Sequence, residues 1–240
     1  GVAFSLDTET GFRDVVFING AWGLGETVVK GLVDPDEYYV FKPTLAQGFR
    51  TVLRRTAGSK DVRMVCAHGA GQEGTRLVHT SRADQRRFCL LDDEVLELAQ
   101  ATVDIEAHYS ALAGHPVPVD VEWAKDGLDG QLYMVQARPE TVASRQSAAV
   151  FEEYELERRE KPVVSGRAVG SKVAVGKARV VTEVSQLHDF KPGEILVADT
   201  TMPDWGTVMK TAGGVVTNRG GRTCHAAIVA REIGVPAIVG

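Results

Sequence analysis

The stretch that decides the fold of this chain lies near its end: Thr217-Asn218-Arg219-Gly220-Gly221-Arg222-Thr223-Cys224-His225-Ala226-Ala227-Ile228. It is a glycine-rich turn running into an apolar segment of fair helix formers, with a histidine in the first turn. Arg231, Gly234 and Pro236 supply a last-turn cation, a residue past the helix end and a stop. Gly214 to Thr217 reads as a short buried strand before the loop, and Val235 to Val239 as another after the helix. The unit is strand, glycine loop, helix, strand. Glycines let backbone N–H groups approach an anion, and a helix start offers unpaired donors with partial positive charge. The same field disfavours imidazolium, so a histidine there stays neutral and nucleophilic. Local features alone fit an ordinary β-α connection with an incidental histidine equally well.

Working outward, Val119 to Ala124 and Leu132 to Arg138 alternate polar and apolar around Asp126-Gly127-Leu128-Asp129-Gly130, a turn by composition. The two runs predict a β-hairpin. Period two puts Asp120, Glu122 and Ala124 on one face of the first strand. In the second strand it puts Met134, Gln136 and Arg138 on one face, with Tyr133, Val135 and Ala137 opposite. Glu122 falls opposite Gln136. A carboxylate and an amide oxygen on adjacent strands can hold Mg²⁺, and an arginine two residues along can clamp a phosphate. A solvated polar face fits the same alternation.

Gly-Gly-Arg-Thr-Cys-His-Ala-Ala-Ile-Val-Ala-Arg-Glu followed by Gly-Val-Pro-Ala-Ile-Val-Gly resembles the phosphohistidine domain of the phosphoenolpyruvate-utilising enzymes. Thr-Cys-His, rather than Thr-Ser-His, resembles the members that use water as second acceptor. Asp-Val-Glu-Trp-Ala-Lys-Asp-Gly and Leu-Tyr-Met-Val-Gln-Ala-Arg-Pro-Glu-Thr-Val resemble the end of that family's ATP-grasp domain. Gly20-Ala21-Trp22-Gly23-Leu24-Gly25-Glu26 is close to the family's Ser-Ala-Trp-Gly-Leu-Gly-Glu.

The resemblance implies a mixed α/β chain of two domains. Residues 1–144 would be the C-terminal part of the ATP-grasp domain, 145–165 a linker, and 166–240 an incomplete β/β/α swivelling domain. It implies that His225 is phosphorylated, that Glu122 and Gln136 bind Mg²⁺, and that Arg138, with Gly25 and Glu26, contacts ATP. Thr223 would be the target of a regulatory kinase and phosphorylase; an N-cap role suits it too. Asp204 is a candidate for orienting His225, or a helix cap. The implied reaction turns pyruvate, ATP and water into phosphoenolpyruvate, AMP and phosphate. A related dikinase with another acceptor and a non-catalytic binding fragment are the alternatives. The family pattern also implies an internal piece of a longer, homodimeric protein, with more of the ATP-grasp domain before Gly1 and a pyruvate-binding barrel after Gly240.

Composition is that of an ordinary globular chain: 240 residues, 44% hydrophobic and 25% charged. A net charge of -5 argues against nucleic-acid binding, and no apolar run reaches membrane-span length. Cys66, Cys89 and Cys224 show no paired spacing, which suggests a reducing, cytoplasmic setting. Asp92 to Leu112 predicts an amphipathic helix capped by Asp92, with Val95, Leu98, Thr102, Ile105, Tyr109 and Leu112 as its stripe. Gly69 to Gly74 reads as a surface turn and Arg82 to Arg87 as a solvated segment. Charge density rises from Phe151 to Lys161, as in a linker or a surface helix. Val173 to Val181 and Glu194 to Ala198 predict strands, followed by a helical run at Val208 to Lys210.

Overall fold

The structure, a computed structural model, describes residues 1–67, 74–140, 154–155 and 161–240. Most of the expected 145–165 linker and of the 69–74 turn lies outside the described residues. The chain divides into two compact units, one of Gly1–Val29 with Val33–Arg145 and one of Lys30–Leu32 with Gln146–Gly240.

The first unit is built on a six-stranded sheet, order β4-β3-β2-β1-β7-β8. Its strands are β1 (Val2–Phe4), β2 (Val15–Gly20), β3 (Asp36–Phe41), β4 (Arg54–Thr56), β7 (Val119–Lys125) and β8 (Leu132–Pro139). Every pairing in it is antiparallel. β1 and β2 are the strands expected on either side of Thr8–Gly11. A separate ribbon joins β5 (Val62–Cys66) to β6 (Thr75–His79).

One face of the sheet is closed by α4 (Asp92–Ala113). Val16, Ile18, Tyr38, Val40, Val119, Val121 and Trp123 pack there against Val95, Leu96, Leu98 and Ala99 of the helix. Burying such side chains contributes about 1.5–3 kcal/mol each. The helix has the expected extent, and Gly114 ends it in the left-handed region at φ 71°. Its N-cap is Leu91, not Asp92: the Glu94 carboxylate reaches back to the Leu91 N–H at 2.9 Å. Leu112 is 75% exposed, so the apolar stripe stops short of it. The opposite face carries Val2, Phe4, Phe17, Val28 and Val33.

Arg82 to Arg87 is not simply solvated. Arg82–Gln85 form a short helix, α3, capped by the Ser81 hydroxyl. The Arg87 guanidinium stacks on Trp22 at 5.0 Å.

The second unit has a five-stranded sheet, order β10-β11-β12-β13-β9. Its strands are β9 (Arg167–Val169), β10 (Ala178–Val180), β11 (Ile195–Ala198), β12 (Gly214–Thr217) and β13 (Ala237–Val239). β10 to β13 run parallel and β9 antiparallel. The expected strand from Val173 is confined to Ala178–Val180, and Val173 and Val175 lie exposed before it. α5 (Gly206–Thr211) links β11 to β12, and α6 (His225–Ile233) links β12 to β13. Leu196, Val215, Met209, Trp205 and the alanines at 226, 227 and 230 form the core. Among the described residues no helix is long and apolar enough to cross a membrane.

Candidate functional site

The hairpin of β7 and β8 pairs Glu122 with Gln136 and Asp120 with Arg138. β1 continues both rows, Val2 opposite Glu122 and Phe4 opposite Asp120. Glu122, Gln136 and Arg138 therefore share the face away from α4, as the alternation predicts. The faces at the turn end of β8 differ from the expectation. The register shifts between Glu122 and Trp123, so Met134 pairs with Trp123 and Val135 is the extra residue. A β-bulge of this kind turns the strand by one face. Met134 and Leu132 thus pack with Trp123 in the α4 core, while Tyr133 and Val135 are exposed.

Asp120 is the member that sequence reasoning passed over. Its carboxylate is 10% exposed and takes Arg138 on Oδ2, at 2.8 Å from Nε and 2.7 Å from a terminal nitrogen. Its Oδ1 is buried with no hydrogen-bond partner. Burial pushes the Asp120 carboxyl up, against the guanidinium that holds it down. A buried oxygen without a partner costs about 1–3 kcal/mol. An oxygen-seeking cation would relieve that cost, and Asp120, Glu122 and Gln136 are the hard-oxygen donors within one pair of rows. Among the described residues no group of three His, Cys, Asp or Glu is placed to hold a metal ion. A cation here would draw on the Gln136 amide and on ligand oxygens.

Gly23 and Gly25 separate in their reasons. Gly23 sits at φ 82°, and a Cβ there would lie 2.3 Å from the Met64 carbonyl. It is required by the turn that leads to α1 (Glu26–Val29). Gly25 has an ordinary φ and no contact closer than 3.6 Å for an added Cβ. The fold does not require glycine there, whereas close approach by a ligand would. Gly25 and Glu26 are exposed. Gly25 borders a cleft of about 610 Å³ with Trp22, Arg87 and Lys125, and Glu122, Gln136 and Arg138 do not line it.

In the second unit His225 is the first residue of α6, as expected. The loops that follow β11 and β12 lie side by side, because those strands are parallel neighbours. Asp199 ties them together, accepting from the Asn218 amide at 2.9 Å and lying 3.3 Å from Arg219 Nε. Gly220, at φ 108°, packs on Cys224, where a Cβ would come within 2.8 Å of Sγ. The N-cap is Cys224, not Thr223, and its side chain makes no capping bond. Thr223 is buried at 3% exposure. Asp204 is exposed in a 3₁₀ turn. The hydroxyl beside the imidazole comes from Thr201, whose Oγ1 is 3.3 Å from His225 Nδ1. Burial holds the His225 pKa below its ordinary value, against a smaller upward pull from Glu232. Burial thus favours the neutral imidazole.

Residues 1–159 match the family pattern of the pyruvate phosphate dikinase AMP/ATP-binding domain. Residues 190–240 match that of the PEP-utilising enzyme mobile domain. The phosphoenolpyruvate synthase of Pseudomonas aeruginosa is 55% identical over 241 residues, covering 100% of this chain and 30% of its own length. Those of Synechocystis and Pyrococcus furiosus are 51% and 36% identical over the whole chain. The chain spans about three-tenths of the length of these curated relatives. It belongs to the pyruvate phosphate dikinase AMP/ATP-binding domain family, with the mobile domain of the PEP-utilising enzymes following in the same chain.

Proposed function

We propose that this chain carries the nucleotide and phosphohistidine half-reactions of a phosphoenolpyruvate synthase, an ATP-dependent phosphotransferase. The first unit serves as the C-terminal part of an ATP-grasp domain, the stretch around 145–165 as a linker, and the second unit as the swivelling carrier. The carrying observation is a half-buried imidazole on the first residue of α6, beside a glycine loop, whose neutral form burial favours.

Arg138 and the backbone around Gly25 and Glu26 bind and orient the phosphates of ATP. Asp120, Glu122 and Gln136 fit Mg²⁺, which when bound neutralises phosphate charge. His225 attacks the β-phosphorus. The bond from that phosphorus to the oxygen bridging to the α-phosphate breaks, and AMP departs with the electron pair. Water then removes the outer phosphate from the pyrophosphohistidine. The phosphoryl group passes to pyruvate enolate at a site on the longer protein. A covalent histidine lets two chemistries with different needs proceed in different surroundings. The helix N-terminus stabilises each anionic intermediate, since donors are already aimed there. In a cytoplasmic homodimer, a regulatory kinase and phosphorylase would act on Thr223. Phosphate there would add roughly -1.5 to -2 charge beside the histidine and repel nucleotide. The burial of Thr223 requires local opening before it can be modified.

The test is mass spectrometry under alkaline conditions of the full-length protein after incubation with Mg-ATP. Acid-labile phosphate on His225 that pyruvate discharges is the expected result. His225→Ala abolishes the label while the fold persists, because the position is at a helix start rather than in the core. Retained label in that variant refutes the assignment. Label that pyruvate cannot discharge moves the function to another acceptor.

A further inference from the structure

The segment from Ala21 to Gly25 leaves β2 and leads into α1, a single turn of four residues. One turn of helix is not stable by itself, so the place of this segment is set by what holds it. Two pins do so. The Leu24 N–H donates to the Met64 carbonyl at 2.9 Å, and Gly23 pairs with Met64 of β5 as a parallel bridge. That pin is backbone to backbone. The other is made by a side chain: Trp22 Nε1–H donates to the Asp84 carbonyl in α3 at 3.0 Å. Asp84 is itself fixed. Its N–H donates to the Ser81 hydroxyl at 3.1 Å, and that hydroxyl donates to the Asp84 carboxylate at 2.9 Å. The same carboxylate takes Arg87 at 2.7 Å, and the guanidinium lies over the Trp22 ring at 5.0 Å. The indole is thus gripped at its edge by a carbonyl and on its face by a cation.

What the segment presents is Gly25. Its carbonyl accepts from the Val28 and Val29 N–H groups at 3.0 Å and 3.2 Å, and its own N–H has no protein partner among the described residues. A Cβ built on Gly25 would stand 3.6 Å from the Gly1 nitrogen, and the next residue, Val2, pairs with Glu122. The open donor therefore lies at the end of β1, beside the row of Glu122 and Gln136. We infer that Trp22 is a positioning residue for the nucleotide: the Ser81–Arg87 segment grips its indole, and that grip sets where the Gly25 N–H meets a phosphate oxygen of ATP.

This inference rests on the reading of Gly25 as a nucleotide contact. Trp22 acts through the backbone three residues on, and Arg87, engaged with Asp84 and the indole, acts through Trp22. The two side chains can be removed from the grip separately. Trp22→Phe keeps a ring under Arg87 and loses the N–H bond. Arg87→Ala keeps that bond and loses the cation on the ring face and the partner that steadies Asp84.

The test uses the full-length protein and two readouts. The first is the dissociation constant of α,β-methylene-ATP with Mg²⁺, measured by equilibrium dialysis; this probe lacks the bridging oxygen at which ATP would be cleaved. The second is labelling of His225 by phosphoenolpyruvate, the reverse of the last transfer, which needs no nucleotide. Trp22→Phe and Arg87→Ala should each bind the probe about 3–10-fold more weakly, the effect of one net hydrogen bond. Both should take label from phosphoenolpyruvate at the parental rate, which a general loss of structure would not allow. Parental affinity in either variant overturns the proposal. Equal losses in both readouts overturn it too, because Trp22 would then be scaffold for the whole molecule. If the parent binds the probe but neither ATP nor phosphoenolpyruvate labels His225, the phosphotransferase reading fails. The weaker binding of the variants, with an unaltered far-ultraviolet spectrum, would still support the role of Trp22. A parent that does not bind the probe overturns both.

Discussion

Two buried aspartates in the first unit, Asp36 and Asp120, differ in how their carboxylate oxygens are partnered, and the difference sets a scaffold carboxylate apart from one proposed to hold a cation. Asp36 is fully buried, and both its oxygens are taken. Oδ1 accepts from Lys60 Nζ at 2.5 Å and from the Gly58 N–H at 2.9 Å. Oδ2 accepts from the Cys89 N–H at 2.8 Å and the Tyr38 hydroxyl at 3.4 Å. Lys60 is itself fully buried, at φ 44°, with a second bond to the Gly58 carbonyl. Burial pushes the neighbouring Cys89 thiol up to about 12, so it stays protonated and unreactive. Asp120 has one oxygen on Arg138 and one bare. A closed set of partners spends the charge on holding two segments together. An open set leaves a buried carboxylate oxygen uncompensated, a cost that a bound cation would relieve.

The comparison breaks most visibly at Lys60. Lys60→Met orphans a buried carboxylate, a change that costs about 3–5 kcal/mol. Urea unfolding of the chain should show that loss as a lower midpoint for the first unit. Restoring neutrality with Asp36→Asn in the same chain should recover a large part of it. A lysine variant with unaltered stability would mean that the pair is incidental.

Much of this contrast was hidden from the sequence, for definable reasons. The β7–β8 hairpin, the Glu122–Gln136 pairing and the α6 start at His225 were legible, because each rests on local periodicity or on a glycine-flanked boundary. Asp120 was on the correct face but was not singled out, although its place opposite Arg138 follows from the same register. The bulge at Val135 leaves no compositional trace beyond two adjacent apolar residues, Met134 and Val135. Lys60 reads as a surface residue, since lysine is almost never fully buried unless paired. Its partner is 24 positions away. The segment that holds Thr201 was expected beside His225, but Asp204 was singled out from it and Thr201 was not. It touches His225 only because parallel pairing of β11 with β12 brings two loops together.

Asp120→Asn gives the next largest effect, and it falls on function. The neutral amide avoids the cost of a desolvated carboxylate and keeps a hydrogen bond to Arg138. Stability should be unchanged or slightly higher. Phosphorylation of His225 by ATP should need about 10–100-fold more Mg²⁺, the range seen when a group supporting a metal site is lost. A variant with the parental Mg²⁺ dependence would make Asp120 scaffold, like Asp36. Folding has the corresponding pH signature. A carboxyl held above its unfolded value contributes stability that is present at low pH and lost as pH rises through the folded value. Asp120→Asn should flatten that component.

Glu194 in the second unit sharpens the rule at the smallest scale, because it is a closed carboxylate at the rim of a sheet. Arg179 holds it in a two-pronged pair, at 2.6 Å and 2.8 Å, and the Lys191 N–H adds a bond at 3.0 Å. Arg179, and after it the Lys191 N–H, depress the Glu194 pKa to about 2. The sign is opposite to that of Asp120. Stability from this group is fully present above the ordinary glutamate value of 4.5 and is lost as pH falls from there toward about 2. Glu194→Gln should remove that acid-side slope from the second unit's unfolding curve while leaving the neutral-pH phosphorylation of His225 unchanged. If closure of partners is what marks a scaffold carboxylate, the variant loses pH dependence and nothing else. Lost phosphotransfer at pH 7 would show that satisfied hydrogen bonds alone do not separate scaffold from site.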